Sequence, residues 1–422
     1  MTSTSRTTQG TAGTAAGGGG DAARTPALSS RVAGLTESAT LAITAKAKAL
    51  RADGADVIGF GAGEPDAHTP THIVEAAQAA AADPATHRYS AAGGLPELKA
   101  AIAADTERHG GRPTQPAEVL VTNGGKHALY AVFQTLLDPG DEALLPAPYW
   151  VSYPEQIRLA GATPVELPAS ADAGYRVTVE QLDAAVTDRT KLLIFNSPAN
   201  PTGAVYPPDE VSAIGRWALD RGIWVVCDEI YEHLVYGDAQ HASMVTQVPE
   251  LSDQCILANG VAKTYAMTGW RVGWAIAPQP VSAAMGRLQS HTTSNVANIA
   301  QHAAIAALNG PRDEVERMRA TFDRRRRLAY ERLRDLPGLT CPLPEGAFYV
   351  FPSVEGLLGT EVAGRRVDTS LDLCEVLLDT ARVALVPGEG FGAPGHVRLS
   401  YALGDDDLER GLDRIRDLLT RA

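Results

Sequence analysis

The sequence predicts an α/β fold, in which a mostly parallel β-sheet lies between helices and a smaller α+β domain follows. Short apolar runs alternate with helical stretches up to about residue 300, a pattern typical of strands that are covered on both faces. Beyond that point one long helical stretch leads into short strands and helices. The 422 residues also exceed the usual size of one simple domain.

The elements of the large domain follow from these runs. A first helix is predicted over 38–50, because Ile43, Ala47 and Leu50 recur at helical spacing. Strands are predicted at 118–122, 142–145, 191–196, 222–228, 255–259 and 272–277. A Gly-Gly turn follows the first of these strands and opens a helix that runs through Leu137.

The second lobe begins with a long helical pattern that continues through Asp335. A strand at 347–351, a helix near 371–379, a strand at 396–402 and a final helix complete it. This mixture of helices and isolated strands predicts an α+β domain.

Four segments are expected along the chain. Residues 1–27 consist largely of Thr, Ser, Gly and Ala, which cannot form a core, and are predicted to be a disordered tail. This tail lacks the apolar stretch of a secretory signal, and with few basic residues it is a poor transit peptide. An N-terminal arm and part of the small domain are expected at 28–60, the large domain at 61–300, and the C-terminal small domain at 301–422.

Composition narrows the class of partner. The net charge of −13 argues against a nucleic acid or an anionic membrane as the main partner, and no apolar stretch is long enough to span a bilayer. The basic run 324–327 is predicted to be a solvated helix face, since acidic residues flank it. Four scattered cysteines without a CxxC pair predict neither disulfides nor a metal site, and they favour the cytoplasm.

Polar side chains follow successive strands of the predicted sheet. Asn200, Asp228 and Lys263 each come after an apolar run. Tyr231 lies about one helical turn beyond Asp228, and Arg271 precedes the next run. Ligands of open α/β sheets bind at the carboxyl ends of the strands, so we expect these side chains to share one crevice.

This set of side chains matches the needs of pyridoxal phosphate. A lysine amine can link covalently to the cofactor's aldehyde, and a carboxylate can pair with its pyridine nitrogen. An arginine and the free N–H groups of a helix that opens at Gly124 and Gly125 can hold its phosphate. Taken singly, each residue also has an ordinary explanation as a helix cap, a turn or a core residue; the ordered set predicts a cofactor site.

The motifs extend over essentially the whole chain from residue 29. They are GAGEPD (61–66), NGGKHALY (123–130), PYWVSYPE (148–155), SPANPTGAVY (197–206), DEIYEHLVY (228–236), AKTYAMTGWRVGW (262–274), EGAFYV (345–350) and HVRLSYA (396–402). With these motifs the sequence resembles the class I aminotransferases of fold type I, which depend on pyridoxal phosphate. It is most similar to the bacterial subgroup Ib aspartate aminotransferases.

The resemblance implies a role for each matching residue. Lys263 would carry the cofactor and move a proton, Asp228 would pair with the ring nitrogen, and Tyr231 would act beside them as the third catalytic residue. The cofactor would be bound by Gly124, Gly125, Trp150, Asn200, Asp228, Tyr231, Lys263, Arg271 and, from the neighbouring subunit, Tyr89. A homodimer with shared active sites is therefore expected.

The substrate residues implied by the resemblance are Gly63, Lys126, Trp150, Asn200, Arg398 and Thr40. Arg398 would hold the α-carboxylate, and Lys126, assisted by Thr40, would hold the side-chain carboxylate of aspartate or glutamate. One departure is Gly260, where more distant members have a serine that binds phosphate; subgroup Ib members often lack it.

The resemblance implies a ping-pong transfer of the amino group of L-aspartate, or a related amino acid, to 2-oxoglutarate. An aspartate/prephenate or aromatic aminotransferase is the main alternative, since the Lys126 and Thr40 pair does not separate these activities. A C–S lyase of the same fold is disfavoured by the close match around 123–126 and 268–271. A transcription regulator would need an N-terminal DNA-binding module, which residues 1–27 do not supply.

Overall fold

The computed structural model describes residues 28–35, 39–109 and 111–420. The predicted disordered tail at 1–27 lies outside the described residues. The segment up to Leu35 is a separate unit that contains one short helix, and residues from Thr36 onward form a second, much larger compact unit.

The helices alternate with strands along most of the chain. The α-helices are α1 (Ser30–Ala33), α2 (Ala39–Ala52), α3 (Thr71–Ala82), α4 (Pro96–Arg108), α5 (Gly125–Leu136), α6 (Ser152–Leu159), α7 (Val179–Ala185), α8 (Pro208–Arg221), α9 (Met244–Gln247), α10 (Gln279–Ser290), α11 (Asn298–Asn309), α12 (Asp313–Leu333), α13 (Ser370–Val376) and α14 (Asp405–Leu419). None of the helices in the described part of the chain is both long enough and apolar enough to cross a membrane.

The strands are β1 (Ile58–Gly59), β2 (Val119–Thr122), β3 (Glu142–Ala147), β4 (Thr163–Pro168), β5 (Thr190–Asn196), β6 (Trp224–Asp228), β7 (Cys255–Gly260), β8 (Gly273–Ile276), β9 (Tyr349–Val350), β10 (Thr360–Val362), β11 (Arg365–Val367), β12 (Val383–Ala384), β13 (Val386–Pro387) and β14 (Val397–Ser400). All six strands predicted for the large domain are present within a few residues of their expected bounds.

The main sheet has the strand order β2-β8-β7-β6-β5-β3-β4. Six of its seven strands run in the same direction, and β8 is antiparallel to both of its neighbours, β2 and β7. The predicted α/β fold with a mostly parallel sheet is therefore confirmed. Sequence analysis missed the edge strand β4, whose two prolines and mostly exposed or half-exposed residues hide it from a search for apolar runs.

Both faces of this sheet are buried. In β5, Leu193 and Phe195 pack into the core on one side, whereas Leu192 and Ile194 pack into the core on the other. Because side chains alternate along a strand, burial on both faces requires a run of consecutive apolar residues. The polar residues that follow such runs are consequently carried to the sheet's carboxyl edge.

A separate core gathers residues from both ends of the larger unit. Ile43 of α2 belongs to the same buried cluster as Phe322 of α12, Val350 of β9 and Ile415 of α14. Strand β14 pairs antiparallel with β13 and β9, and β1 pairs parallel with β12. This packing supports the proposal that the described residues 39–60 join residues 301–422 in the small domain.

The prediction that the basic run 324–327 forms a solvated face is wrong for its two central residues. Arg325 and Arg326 are buried on α12. Arg325 donates through Nη1 to Asp66 at 2.8 Å and through Nε to Asp405 at 2.7 Å. Four consecutive positions cover more than one turn of a helix, so they cannot all face solvent. Arg325 pairs with acidic residues that are distant in sequence, whereas Arg326 pairs with Asp323 on the same helix and donates to the Pro344 carbonyl.

Candidate active site

A cavity of about 430 Å³ lies beyond the carboxyl ends of the central strands. It is lined by ten residues predicted for the site: Gly63, Gly125, Lys126, Trp150, Asn200, Asp228, Tyr231, Lys263, Arg271 and Arg398. Residues separated by more than 300 positions in the sequence thus share one concave surface, as expected for a binding site of an open α/β sheet.

Asp228 ends β6 and has both carboxylate oxygens engaged. The Tyr153 hydroxyl donates to Oδ2 at 2.8 Å, and the backbone N–H of Ile230 donates to Oδ1 at 3.2 Å. Burial raises the pKa of Asp228 to about 6, although the bond from Tyr153 opposes part of this rise. A buried carboxylate of this kind is suited to a cationic partner, which would return its pKa toward the ordinary range.

Lys263 follows β7, and its ammonium points toward the opposite wall, where Nζ contacts the carbonyl oxygen of Gly63. Burial lowers the pKa of Lys263 to about 8, with the nearby Glu64 carboxylate opposing this shift and the Arg398 guanidinium adding to it. Near neutral pH a substantial fraction of this lysine is therefore an uncharged amine, the form that can act as a nucleophile or a base.

Arg271 and the start of α5 form an anion-binding corner. Arg271 adopts a left-handed backbone conformation with φ of 57°, and its Nη1 donates to the Thr268 carbonyl at 2.9 Å. Gly124 has φ of 85°, and a Cβ atom there would lie 2.6 Å from Arg271 Nη2. Only glycine therefore allows the guanidinium to lie against the first N–H groups of a helix, which favour phosphate.

Arg398 is buried on β14 and forms part of the cavity wall. Its Nη1 donates to Asn200 Oδ1 at 3.0 Å, and its Nη2 donates to the Gly61 carbonyl at 3.1 Å. Its Nε is enclosed and has no hydrogen-bond partner among the residues that the structure describes. Since a buried donor without a partner is costly, this N–H indicates a site for an anionic group that the protein itself does not supply.

Lys126 stands in the first turn of α5, with its Nζ 4.9 Å from the centre of the Trp150 ring. Burial lowers the pKa of Lys126, and the nearby Arg271 adds to this effect. A cation at a helix N-terminus is also opposed by the helix dipole. No ion pair links Lys126 to a carboxylate in the described part of the chain, so an anionic substrate group would offset all three costs.

Tyr231 meets a partner that sequence analysis did not single out. Its hydroxyl lies 3.0 Å from the hydroxyl of Tyr349, and both tyrosines are buried in the cavity wall. Tyr153, the donor to Asp228, was missed in the same way, although it lies three residues after Trp150 in a motif that was recognised. Its spacing of about one helical turn from Trp150 was the available signal.

Two of the predicted site residues that the structure describes, Tyr89 and Gly124, do not line the cavity. Tyr89 is 93% exposed in this single chain, so any role for it depends on a second copy. The side chain of Thr40 lies outside the described residues, and its predicted role stays a prediction. Gly124 does not line the cavity itself but supports Arg271 from behind.

The residues present fit pyridoxal phosphate. The anion-binding corner at Arg271 suits its phosphate, and the buried Asp228 suits its pyridine nitrogen. Lys263, an amine with a lowered pKa, suits its aldehyde. The unpartnered Arg398 Nε adds a place for a substrate carboxylate. Fold and site together define an enzyme of fold type I that depends on pyridoxal phosphate.

The comparisons with known proteins agree with this class. The family model described as aminotransferase class I and II matches residues 55–415, and the chain belongs to this family. The aspartate aminotransferase of Streptomyces avermitilis is 58% identical over 94% of this chain and 97% of its own length. That of Geobacillus stearothermophilus is 51% identical over 92% of this chain and 98% of its own length.

Solved structures of the same kind superimpose closely. The aspartate aminotransferase of Rhizobium meliloti covers 94% of this chain with a TM-score of 0.91 at 39% identity, and all of that chain is matched. The Thermus thermophilus enzyme, solved with maleate, has a TM-score of 0.87 at 41% identity over 94% of this chain and all of its own. The protein is a pyridoxal phosphate-dependent aminotransferase.

Proposed function

We propose that this aminotransferase moves the amino group of L-aspartate to 2-oxoglutarate. The proposal rests on two cations that line one cavity: Arg398, which is buried, and Lys126, which is partly open to solvent. Neither is paired with a carboxylate in the described part of the chain. Aspartate, glutamate and their oxo acids each carry two carboxylates, so both cations would be satisfied by either partner of the reaction. Relatives that carry the name aspartate aminotransferase, and one solved with the dicarboxylate maleate, support this proposal.

The chain's own residues bind and orient the reactants. Arg398 holds the α-carboxylate with the help of the Gly63 backbone, and Lys126 holds the side-chain carboxylate. Trp150 stacks on the cofactor ring, while Asn200 and Tyr231 donate to its ring oxygen. Arg271 and the N–H group of Gly125 hold the phosphate. Gly124, whose own N–H donates to the Thr122 carbonyl at 2.7 Å, leaves room for the Arg271 guanidinium.

Proton movement falls to Lys263. Pyridoxal phosphate, when bound, supplies the aldehyde that takes up the amino group and a ring that accepts electrons from the substrate's α-carbon. The uncharged amine of Lys263 would remove the proton from that α-carbon and deliver it to the carbon that was the cofactor's aldehyde. Asp228, held ionised by Tyr153 and Ile230, keeps the ring nitrogen protonated.

The two half-reactions use the same pair of cations. The oxo acid made from the donor leaves before 2-oxoglutarate enters, because both molecules need Arg398 and Lys126. Ping-pong kinetics follow from this shared site, and parallel lines in a double-reciprocal plot are the expected signature.

The first test is the absorbance spectrum of the holoenzyme with single amino acids added one at a time. Loss of the bound cofactor's visible band with L-aspartate and L-glutamate is the expected result. Bleaching only by aromatic or other amino acids would keep the aminotransferase chemistry and overturn the substrate assignment.

The second test replaces the proposed side-chain cation. For Lys126→Ala we expect kcat/KM for L-aspartate to fall about 10- to 100-fold, the loss of one charge-assisted hydrogen bond worth roughly 1.5–3 kcal/mol. Turnover of L-phenylalanine should change little. Lys191→Ala, which removes a half-buried lysine that lies outside the cavity and is paired with Asp138 and Asp141, is the matched control. Equal losses for both substrates would contradict the role of Lys126.

Prephenate is a second candidate amino acceptor. Relatives from Aquifex aeolicus and Cereibacter sphaeroides, 44% and 45% identical, carry the name aspartate/prephenate aminotransferase. Prephenate also has two carboxylates, one of them next to a keto group, so the same two cations can receive it. Return of the cofactor's visible band when prephenate is added to the aminated enzyme would establish this activity.

The proposal includes a homodimer with shared sites, in which Tyr89 of each chain reaches the phosphate bound by the other. The exposure of Tyr89 in the single chain supports this arrangement. Mixing two weakly active variants, Tyr89→Ala and Lys263→Ala, should restore activity, because each hybrid dimer has one intact site. No recovery would contradict shared sites. A cytoplasmic location is also proposed, supported by four buried free thiols.

A further inference from the structure

A buried cluster of two carboxylates and one imidazole lies next to Asp228 but outside the cavity. Glu229 follows Asp228 in the chain, and Glu232 lies one turn further on. Side-chain atoms of Glu229, Glu232 and His241 all come within 4.8 Å of one another. The shortest approach, 3.6 Å, joins His241 Nε2 to Glu229 Oε2. None of the three lines the cavity, so the proposed reaction does not use them directly.

His241 is the unusual member of this cluster. Both of its ring nitrogens are enclosed, and the polar groups near them include the Glu229 carboxylate, 3.6 Å from Nε2, and the Ser197 backbone. A neutral imidazole would turn one lone pair toward carboxylates. An imidazolium presents N–H groups only, and the two carboxylates stabilise it electrostatically. The surroundings therefore favour the charged form of His241.

The other histidines nearby do not supply this charge. Burial lowers the pKa of His233 to about 2, and Arg312 adds to the effect, so His233 is neutral. His109 Nε2 accepts from Arg312 at 2.6 Å, and its Nδ1 lies 3.2 Å from a carboxylate oxygen of Asp105, so His109 is engaged outside the cluster. Besides its own members Glu229, Glu232 and His241, the cluster has these charged or titratable neighbours: Asp228, His233, Asp105, His109 and Arg312.

The cluster also touches the cavity wall. Asn259, which lines the cavity, donates through Nδ2 to Glu232 Oε1 at 2.6 Å. The backbone N–H of Glu229 donates to the Ala258 carbonyl at 3.0 Å, next to Asn259 on β7. The carboxylates are thus fixed at a short distance from the residues that face the cofactor.

We propose that His241 is a positioning residue that acts on Asp228 through Glu229. As an imidazolium, His241 balances the Glu229 carboxylate and so keeps Asp228 in the ionised form that the pyridine nitrogen requires. This inference rests on the role proposed above for Asp228.

The electrostatics of the cluster support this coupling. Burial and the adjacent Glu229 charge both raise the pKa of Asp228, whose value is about 6. Burial also raises the pKa of Glu232 to about 7, with His241 opposing the shift. Burial lowers the pKa of His241, but the carboxylates of Glu229 and Glu232 outweigh it and the net shift is upward. Without the imidazolium, the uncompensated Glu229 charge would push the pKa of Asp228 higher still.

The test measures the dissociation constant of pyridoxal phosphate from the full-length protein as a function of pH. Cofactor affinity falls as the pH drops through the pKa of Asp228 in the free protein, because binding must then ionise the carboxyl. For His241→Asn we expect the midpoint of this fall to move up by about one pH unit. Glu229→Gln should move it down, and the double variant should return close to the wild-type midpoint, since the carboxylate that needed balancing is gone.

The controls separate this proposal from a general loss of structure. His291→Asn, at an exposed histidine, should leave the midpoint unchanged. An unchanged midpoint in His241→Asn, or a shift in the same direction as Glu229→Gln, would overturn the proposal. If His241→Asn does not fold, Glu229→Gln decides alone, because it must lower the midpoint. Asp228→Asn tests the underlying function: if this variant binds the cofactor normally, the role of Asp228 itself is wrong.

Discussion

Tyr153→Phe isolates the hydrogen bond that helps to ionise Asp228. The phenol donates to Oδ2 at 2.8 Å, and both residues are buried. A hydrogen bond to a charged group contributes roughly 1.5–3 kcal/mol, and 1.36 kcal/mol corresponds to one pKa unit. Its loss should therefore raise the pKa of Asp228 from about 6 to roughly 7–8.

This shift predicts an effect on cofactor binding that depends on pH. Relative to the wild type, the variant should bind pyridoxal phosphate about 5- to 50-fold more weakly near pH 6, and within about twofold of the wild type near pH 9. The sign follows from the raised pKa: the variant's carboxyl is mostly protonated at the lower pH and ionised at the higher one. Both the wild type and the variant need an uncharged Lys263, so this requirement cancels in the ratio of their cofactor affinities.

The assay titrates cofactor-free protein with pyridoxal phosphate and follows the quenching of tryptophan fluorescence, to which Trp150 in the cavity contributes. Tyr149→Phe is the matched control, because the Tyr149 phenol also donates to a carboxylate, that of Glu166 at 2.9 Å, but does not line the cavity. A loss of affinity that is the same at every pH would refute the assignment of Tyr153 as the donor that sets the pKa of Asp228.

Three further predictions concern other parts of the molecule. The rate of covalent cofactor uptake should rise with pH and become constant above about pH 8, because the uncharged amine of Lys263 is the reacting form and its pKa is about 8. A rate that does not change with pH in stopped-flow absorbance would contradict this. Gly124→Ala should weaken cofactor binding about tenfold or more, because the added Cβ displaces Arg271. The control is Gly222→Ala, which also has a left-handed backbone but has open space around it; it should lower the melting temperature and leave the cofactor titration unchanged. Arg326→Met should lower the free energy of unfolding, measured in urea, by about 1–3 kcal/mol, because Asp323 and the Pro344 carbonyl lose their buried guanidinium partner. Replacing the exposed Arg327 by Met should lower it by less than about 1 kcal/mol. Equal losses in the two variants would contradict the argument from burial.

Much of the fold was predictable because the sheet is buried on both faces. Such strands must be continuously apolar, so their positions are visible in the sequence, and the polar residues that follow them mark the binding edge. Asn200, Asp228 and Lys263 were found in this way. The edge strand β4 was missed for the converse reason, since its exposed and half-exposed residues leave no apolar run.

Contacts between distant side chains were not predictable. Tyr153 lies in a recognised motif, yet its hydrogen bond to Asp228 depends on how α6 packs against the end of β6. The burial of Arg325 depends on Asp66 and Asp405, which approach from the two ends of the chain. Local patterns carry no information about such pairs, because they record periodicity along one segment only.

The sequence by itself determined the order of strands and helices, the class of cofactor and the residues at the strand ends, since each depends on local composition and spacing. Tertiary structure alone decided the antiparallel direction of β8, the unpartnered Nε of Arg398 and the pairing of His241 with Glu229. An apolar run reads the same in either direction, and the ionisation of a buried group is set by charges and dipoles that only folding brings within a few ångströms.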